Sequence, residues 1–259
     1  MLPLKDNIPT RRFPVVTVAF IAINVLVFFL FQEARLSLSG ASVDDTKVVE
    51  WGVIPYELTH PGKHCELVAG QVLCEGQPGV VGEAGDQPST WLTIFSAMFM
   101  HGGLLHLLGN MLFLWIFGNN VEDSMGRVKF VLFYLLGGVA AVLAQTLIDP
   151  GAAVPTIGAS GAVAAVLGGY ALLYPHARVV TLVFIIIFFT VVELPALVVL
   201  GLWFVLQVLY GAADLAQPVA TEGGVAYFAH IGGFLFGLLA IKLFADRAQE
   251  AYRRRFPVY

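Results

Sequence analysis

The sequence predicts an all-α polytopic membrane protein, a bundle of six transmembrane helices with a long outer first loop. Three observations carry that expectation. Of the 259 residues, 58% are hydrophobic and only 12% are charged, and the mean hydropathy is +0.81; a soluble domain carries about twice that charged fraction. From about residue 91 onward, apolar runs near the length of a bilayer span follow one another with short connections, which points to one bundle. The basic residues gather on one side of the chain folded in that way.

In chain order, the spans read Val15–Phe31, about Leu104–Phe117, Val128–Ile148, about Gly158–Tyr174, about Glu193–Tyr210 and about Val225–Ala245. Val179–Val192 is also apolar, but it is rich in β-branched residues and Phe and runs into Glu193-Leu194-Pro195. It reads as an extended or interfacial segment, with Pro195 in the first turn of the fifth helix, where a missing N–H costs least. Residues 15–245 then form one membrane domain, with a short segment 1–14 before it and a basic tail 246–259 after it.

Lys and Arg accumulate on the cytoplasmic side of membrane proteins. With six helices and both termini inside, eleven of the fourteen basic residues are cytoplasmic, and only Arg35, Lys47 and Lys63 lie in the outer loop. A seventh span would break this pattern. A secretory signal reading of Arg11-Arg12 and Val15–Phe31 is disfavoured, because the run is long for a signal core and cleavage would leave five spans. The expected location is a cell membrane, inner or plasma.

The outer loop, about residues 32–90, holds nine acidic residues and both cysteines, Cys65 and Cys74, and reads as irregular. An outer compartment permits a disulfide between them, and two unpaired thiols remain the alternative. His60, His64 and Cys65 lie close together but show no metal-ligand spacing.

Polar residues inside apolar helices cost free energy and are functional candidates by default. Ser160 sits in Gly158-Ala159-Ser160-Gly161 near the start of the fourth helix, after Pro155-Thr156-Ile157. His230 sits in Ala229-His230-Ile231-Gly232-Gly233, about six residues into the sixth helix. His101, His106 and Asn110 mark the outer end of the second. All three helices enter from outside, so these groups share a depth. A serine hydroxyl needs a base to become a nucleophile, and imidazole titrates in the right range. A helix N-terminus adds N–H donors for an oxyanion. His106 and Asn110, four apart, share a helical face and supply further donors. Gly158, Gly161, Gly233 and Gly237 remove side chains where the fourth and sixth helices would touch.

These residues resemble a known pattern. His101-Gly-Gly-Leu-Leu-His106-Leu-Leu-Gly-Asn110, Gly158-Ala-Ser160-Gly161, and Ala229-His230-Ile-Gly-Gly233 with Gly237 are similar, in order and separation, to the rhomboid family of intramembrane serine proteases. The resemblance covers about residues 15–245. It implies a Ser160–His230 dyad with no carboxylate partner, and an oxyanion hole of His106, Asn110 and the Ser160 N–H. His101 is a possible accessory residue, and no cofactor or metal is implied. Gly-Asn-Asn-Val-Glu122-Asp-Ser-Met-Gly-Arg127 resembles the family's structural turn after the second helix, which makes Glu122 and Arg127 architectural. Some members carry an aromatic residue four positions after the serine; Ala164 stands here, so another aromatic is expected to support His230. Some have a Trp-Arg pair in the first loop, and Trp91-Leu92 lacks the arginine.

Each motif has a plainer reading. Gly-x-Ser-Gly often serves only helix packing, and one buried histidine can simply bond a neighbour. Common depth and spacing weigh against coincidence. The expected activity is hydrolysis of a transmembrane protein substrate within the lipid membrane, with no nucleic-acid partner, and the segment between the fourth and sixth helices is a candidate gate. The alternatives are a catalytically silent client-binding relative and a transporter or metal-binding protein using His101, His106 and His230; no His-Glu-x-x-His signature supports the latter.

Overall fold

The computed structural model describes residues 1–37, 40–185, 188–216 and 225–246. The chain opens with β1 (Leu2–Asp6) and α1 (Val15–Leu26), which continues through one π turn, Val27–Phe31. A hairpin of β2 (Arg35–Ser37) and β3 (Gly40–Ser42) follows. The expected irregular loop is instead organised by short elements: α2 (Asp45–Trp51), α3 (Pro55–Thr59) and the hairpin β4 (Cys65–Val68) and β5 (Gln71–Cys74). Asp44 caps α2 by accepting from the Thr46 and Lys47 N–H groups. Cys65 and Cys74 face each other across the hairpin and are disulfide-bonded. With Val49, Ile54 and Tyr56 they make a small core, so this segment carries its own interior.

α4 (Thr90–Ser96) runs into a 3-10 turn, Ala97–Phe99, and α5 (Leu104–Phe113) continues through Leu114–Gly118 into α6 (Asn119–Met125). The second helix is therefore longer than the sequence suggested. It turns at Gly126, whose φ of +81° suits glycine. α7 (Arg127–Ile148), opened by Arg127, and α8 (Ser160–Leu173) complete the first half of the bundle. α9 (Ala196–Leu215) and α10 (Tyr227–Phe244) complete the rest. Among the described residues, four helices are long and apolar enough to cross a membrane: Leu104–Met125, Arg127–Ile148, Ala196–Leu215 and Tyr227–Phe244; Val15–Phe31, Thr90–Phe99 and Ser160–Leu173 are shorter apolar helices. Most of the expected basic tail, residues 247–259, lies outside the described residues.

The all-α expectation needs correction to mostly helical. Val179–Val192, read as extended, is an antiparallel pair of β6 (Arg178–Ile185) and β7 (Phe188–Pro195), and β1 adds to its free edge in the order β1-β6-β7. β-branched side chains favour the pleated backbone, and pairing satisfies N–H and C=O groups that an isolated apolar strand would leave open. Pro195 ends β7 directly before α9.

Two polar clamps fasten the N-terminal segment. Glu122 in α6 is buried and accepts from the Val16 N–H at 3.0 Å and from the Thr17 N–H and hydroxyl at 2.8 Å each, satisfying donors at the open end of α1. Asp6 accepts from Asn120 Nδ2 and the Tyr170 hydroxyl, both at 2.7 Å. Burial, partly offset by the Tyr170 hydrogen bond, pushes the Asp6 carboxyl from 3.8 up to about 6. The folded state thus holds a proton that the unfolded chain releases between about pH 4 and 6, so this group's favourable contribution is complete at low pH and lost as pH rises through about 6. Asp6→Asn is expected to flatten the pH dependence of the unfolding temperature across that window; an unchanged slope contradicts the assignment.

The bundle centre is α7, α8 and α10. α8 is enclosed over most of its length, with every residue from Gly161 to Ala171 buried. A Cβ on Gly233 would lie 2.1 Å from the Gly161 carbonyl oxygen, one on Gly237 2.0 Å from that of Ala165, and one on Gly168 2.1 Å from that of Phe234. The two helices approach until backbone meets backbone, a contact only glycine allows.

Candidate active site

Ser160 is the first residue of α8, and Gly158 is what lets it stand there open. Gly158 has φ +127°, and a Cβ on it would lie 2.8 Å from His106 Nε2 and Cε1 and 3.5 Å from Ser160 Oγ. Any side chain would fall between the serine and that imidazole. No side chain caps α8, so its first N–H groups are not consumed by a cap at the end where Ser160 sits.

His230 is the fourth residue of α10 rather than about the sixth, because that helix begins at Tyr227. Gln145 of α7 accepts from the Ala229 N–H at 3.2 Å and fixes the start of the helix. The glycine contact with α8 brings His230 Nε2 to 2.8 Å from Ser160 Oγ. The two groups are seventy residues apart in sequence and in direct hydrogen-bond contact.

Two residues that the sequence reading passed over complete the surroundings of His230. Gln207 Oε1 lies 2.8 Å from His230 Nδ1, and the Trp203 ring packs at 5.7 Å between centroids with an interplanar angle of 36°. They are four apart on α9 and share a face. Trp203 is the aromatic support that Ala164 cannot supply; Ala164 is instead fully buried against the α10 contact at Gly233. A polar amide in the apolar run of α9 was the available signal for Gln207.

His106 and Asn110, both on α5, line the same cleft as Ser160. The Gly102 N–H donates to His106 Nδ1 at 3.4 Å, which leaves Nε2 as the protonated nitrogen of a neutral ring, on the side facing Gly158 and Ser160. Asn110 is buried and its Nδ2 has no hydrogen-bond partner among the described residues. An unmet buried donor costs about 1–3 kcal/mol and calls for an explanation. His101 lies ahead of α5, fully buried, and its ring meets that of His106 edge-on at 5.0 Å. Its main chain is held by both ends of the Gln32 amide, with Gln32 Nε2 donating to the His101 carbonyl at 3.0 Å and Oε1 accepting from its N–H at 2.8 Å. His101 thus ties the α5 entry to the end of α1, and its ring reaches the serine only through His106.

A cleft of about 1570 Å³ joins these groups, lined by His106, Asn110, Ser160, Trp203 and His230 and opening towards α2 and the β4–β5 hairpin. A serine, an imidazole and converging N–H donors on its wall are equipped for acyl transfer.

The family model for the Rhomboid domain matches residues 88–247, more than half of the chain. Rhomboid protein 1, mitochondrial, of Saccharomyces cerevisiae is 31% identical over 176 residues, 66% of this chain and 46% of that protein. Rhomboid protease GluP of Bacillus subtilis is 31% identical over 161 residues, 62% of this chain and 24% of that protein. Rhomboid-like protein 11, chloroplastic, of Arabidopsis thaliana is 44% identical over 73 residues, 28% of this chain and 26% of that protein. The chain spans less than half the length of these relatives.

Proposed function

The chain belongs to the rhomboid family and is a multi-pass integral membrane protein, and on that premise we propose that it is a serine endopeptidase that cuts a peptide bond in or near the transmembrane segment of another membrane protein. The observation that carries the reading is the 2.8 Å contact between Ser160 Oγ and His230 Nε2 at the wall of the cleft.

In the proposed reaction, His230 takes the Ser160 proton as Oγ attacks the scissile carbonyl carbon. The negative charge that develops on the carbonyl oxygen is met by the Ser160 N–H, His106 Nε2–H and Asn110 Nδ2. The unmet Asn110 donor is then explained: it is held ready for charge that exists only in the transition state. Collapse breaks the C–N bond, and His230 gives its proton to the leaving amine, leaving an acyl ester on Ser160. Water, deprotonated by His230, hydrolyses that ester and restores the serine.

The proposed placement in the membrane is six spans with both termini cytoplasmic, residues 15–245 as the membrane domain, and residues 32–90 outside, in a cell membrane. α8 has fourteen residues, about 21 Å at 1.5 Å per residue, against about 30 Å of hydrocarbon. Such a helix, enclosed by protein, supports a serine recessed below the outer surface and reached through the cleft. Substrates are transmembrane segments that can unwind there.

The reading is tested by incubating the full-length protein in detergent with single-span substrates and mapping the products by mass spectrometry. One cut near the outer end of the substrate helix is expected. Binding without any cut across a panel of helices would favour the silent, client-binding relative. Asn110→Ala is expected to lower kcat by about 10²-fold with a smaller change in KM; a KM effect alone would remove Asn110 from the oxyanion hole.

A further inference from the structure

We propose that Gln207 is a positioning residue that completes a Ser160–His230–Gln207 relay, holding the catalytic imidazole in its one productive tautomer. The inference rests on the dyad reading and extends it.

A neutral imidazole has one N–H and one lone pair. For Nε2 to receive the Ser160 proton, the ring must carry its hydrogen on Nδ1. The nitrogen that stays protonated is set by what the other nitrogen meets. At Nδ1 stands Gln207 Oε1, 2.8 Å away. The amide of Gln207 is itself oriented, because its Nε2 donates to the Trp203 carbonyl at 3.3 Å, one helical turn back. With Nε2 turned to that carbonyl, the oxygen Oε1 is the end presented to His230. An acceptor at Nδ1 requires Nδ1–H, and Nδ1–H leaves Nε2 open to Ser160. The chain of contacts from the Trp203 carbonyl to Ser160 Oγ therefore runs in one direction.

The relay also acts during the reaction. When His230 takes the serine proton it becomes a cation, and its bond to Gln207 becomes charge-assisted and stronger. The effect belongs to the transition state, so it should appear in kcat rather than in KM. A neutral amide performs this task without placing a second ion in an apolar helix, which accounts for an acceptor other than a carboxylate in α9. Trp203 adds the second constraint, closing one face of the ring while Gln207 fixes its rotation. Both come from the helix preceding α10, so correct packing of α9 is a condition for a competent base.

Gln207→Leu removes the acceptor at similar volume, and Gln207→Glu keeps an acceptor oxygen in either protonation state. In the full-length protein acting on a single-span substrate, Gln207→Leu is expected to lower kcat about ten-fold, leave KM within about twofold, and slow labelling of Ser160 by a fluorophosphonate in proportion. Gln207→Glu should restore at least about half of the lost kcat. If Gln207→Leu fails to fold, Gln207→Met reads the same loss. The proposal is overturned if the acceptor-less variants keep wild-type kcat, or if Gln207→Glu falls as far as Gln207→Leu, which would reveal a packing role. These outcomes are separate from the dyad itself: turnover that persists in Ser160→Ala removes the function, whereas dependence on Ser160 and His230 with indifference to Gln207 removes only the relay.

Discussion

Ser160→Ala and His230→Ala are each expected to reduce turnover of a single-span substrate by at least about 10⁴-fold, with folding intact. The two losses should not add. Removing the hydroxyl leaves the imidazole with nothing to deprotonate, and removing the imidazole leaves a hydroxyl that is a poor nucleophile. The double variant should therefore be no worse than either single one, and a multiplicative loss would mean that the residues act in separate steps. Neither substitution disturbs the backbone contact between α8 and α10, which rests on glycines elsewhere on that interface. Equal unfolding temperatures of the variants and the wild type are the control for that statement.

The second large effect is on the fold. Gly237→Val would force a Cβ to within 2.0 Å of the Ala165 carbonyl oxygen and 2.9 Å of the Gly169 nitrogen, all main-chain atoms of α8. No rotamer relieves a clash with backbone, so the two helices must separate. The expected cost is about 3 kcal/mol or more. It should be visible as loss of monodisperse protein in detergent, or as an unfolding temperature lowered by many degrees. Activity should fall with it, because the same contact delivers His230 to Ser160. Gly201→Ala in α9 is the matched control, since a Cβ there meets nothing within 4 Å; it should change stability by no more than about 0.5 kcal/mol. A tolerant Gly237 and a sensitive Gly201 would invert the packing account.

That Ser160, His230, His106 and Asn110 stand around one cleft is legible in the sequence, because a polar group in an apolar helix stands out and helical periodicity assigns it a face. Gln207 has the same signature, yet its meaning depends on a partner from another helix that periodicity along α9 does not reveal. Trp203 was anticipated only as a gap, from the alanine at position 164. The apolar segment before α9 was recognisable as extended from its β-branched residues. Its pairing with β1 was not, because the register Leu2 with Leu182 joins residues far apart in sequence and no local pattern encodes it. The segment following α1 looked irregular because each of its elements is short, from three to seven residues. Its order comes from the Asp44 cap, the Cys65–Cys74 bond and a small core, which only the folded chain assembles. The sequence places the end of the second helix too early because residues 118–127 resemble a turn, whereas Asn119–Met125 is helical, with Glu122 bound to the α1 N–H groups, and the chain turns only at Gly126.

If Ser160 is a nucleophile activated by His230, a serine-directed fluorophosphonate must find it: the protein in detergent is treated with the reagent and the adduct mapped by mass spectrometry, in the wild type and in His230→Ala. One adduct, on Ser160, that depends on His230 is the predicted result. An adduct on another residue, or equal labelling of Ser160 when His230 is absent, would contradict it.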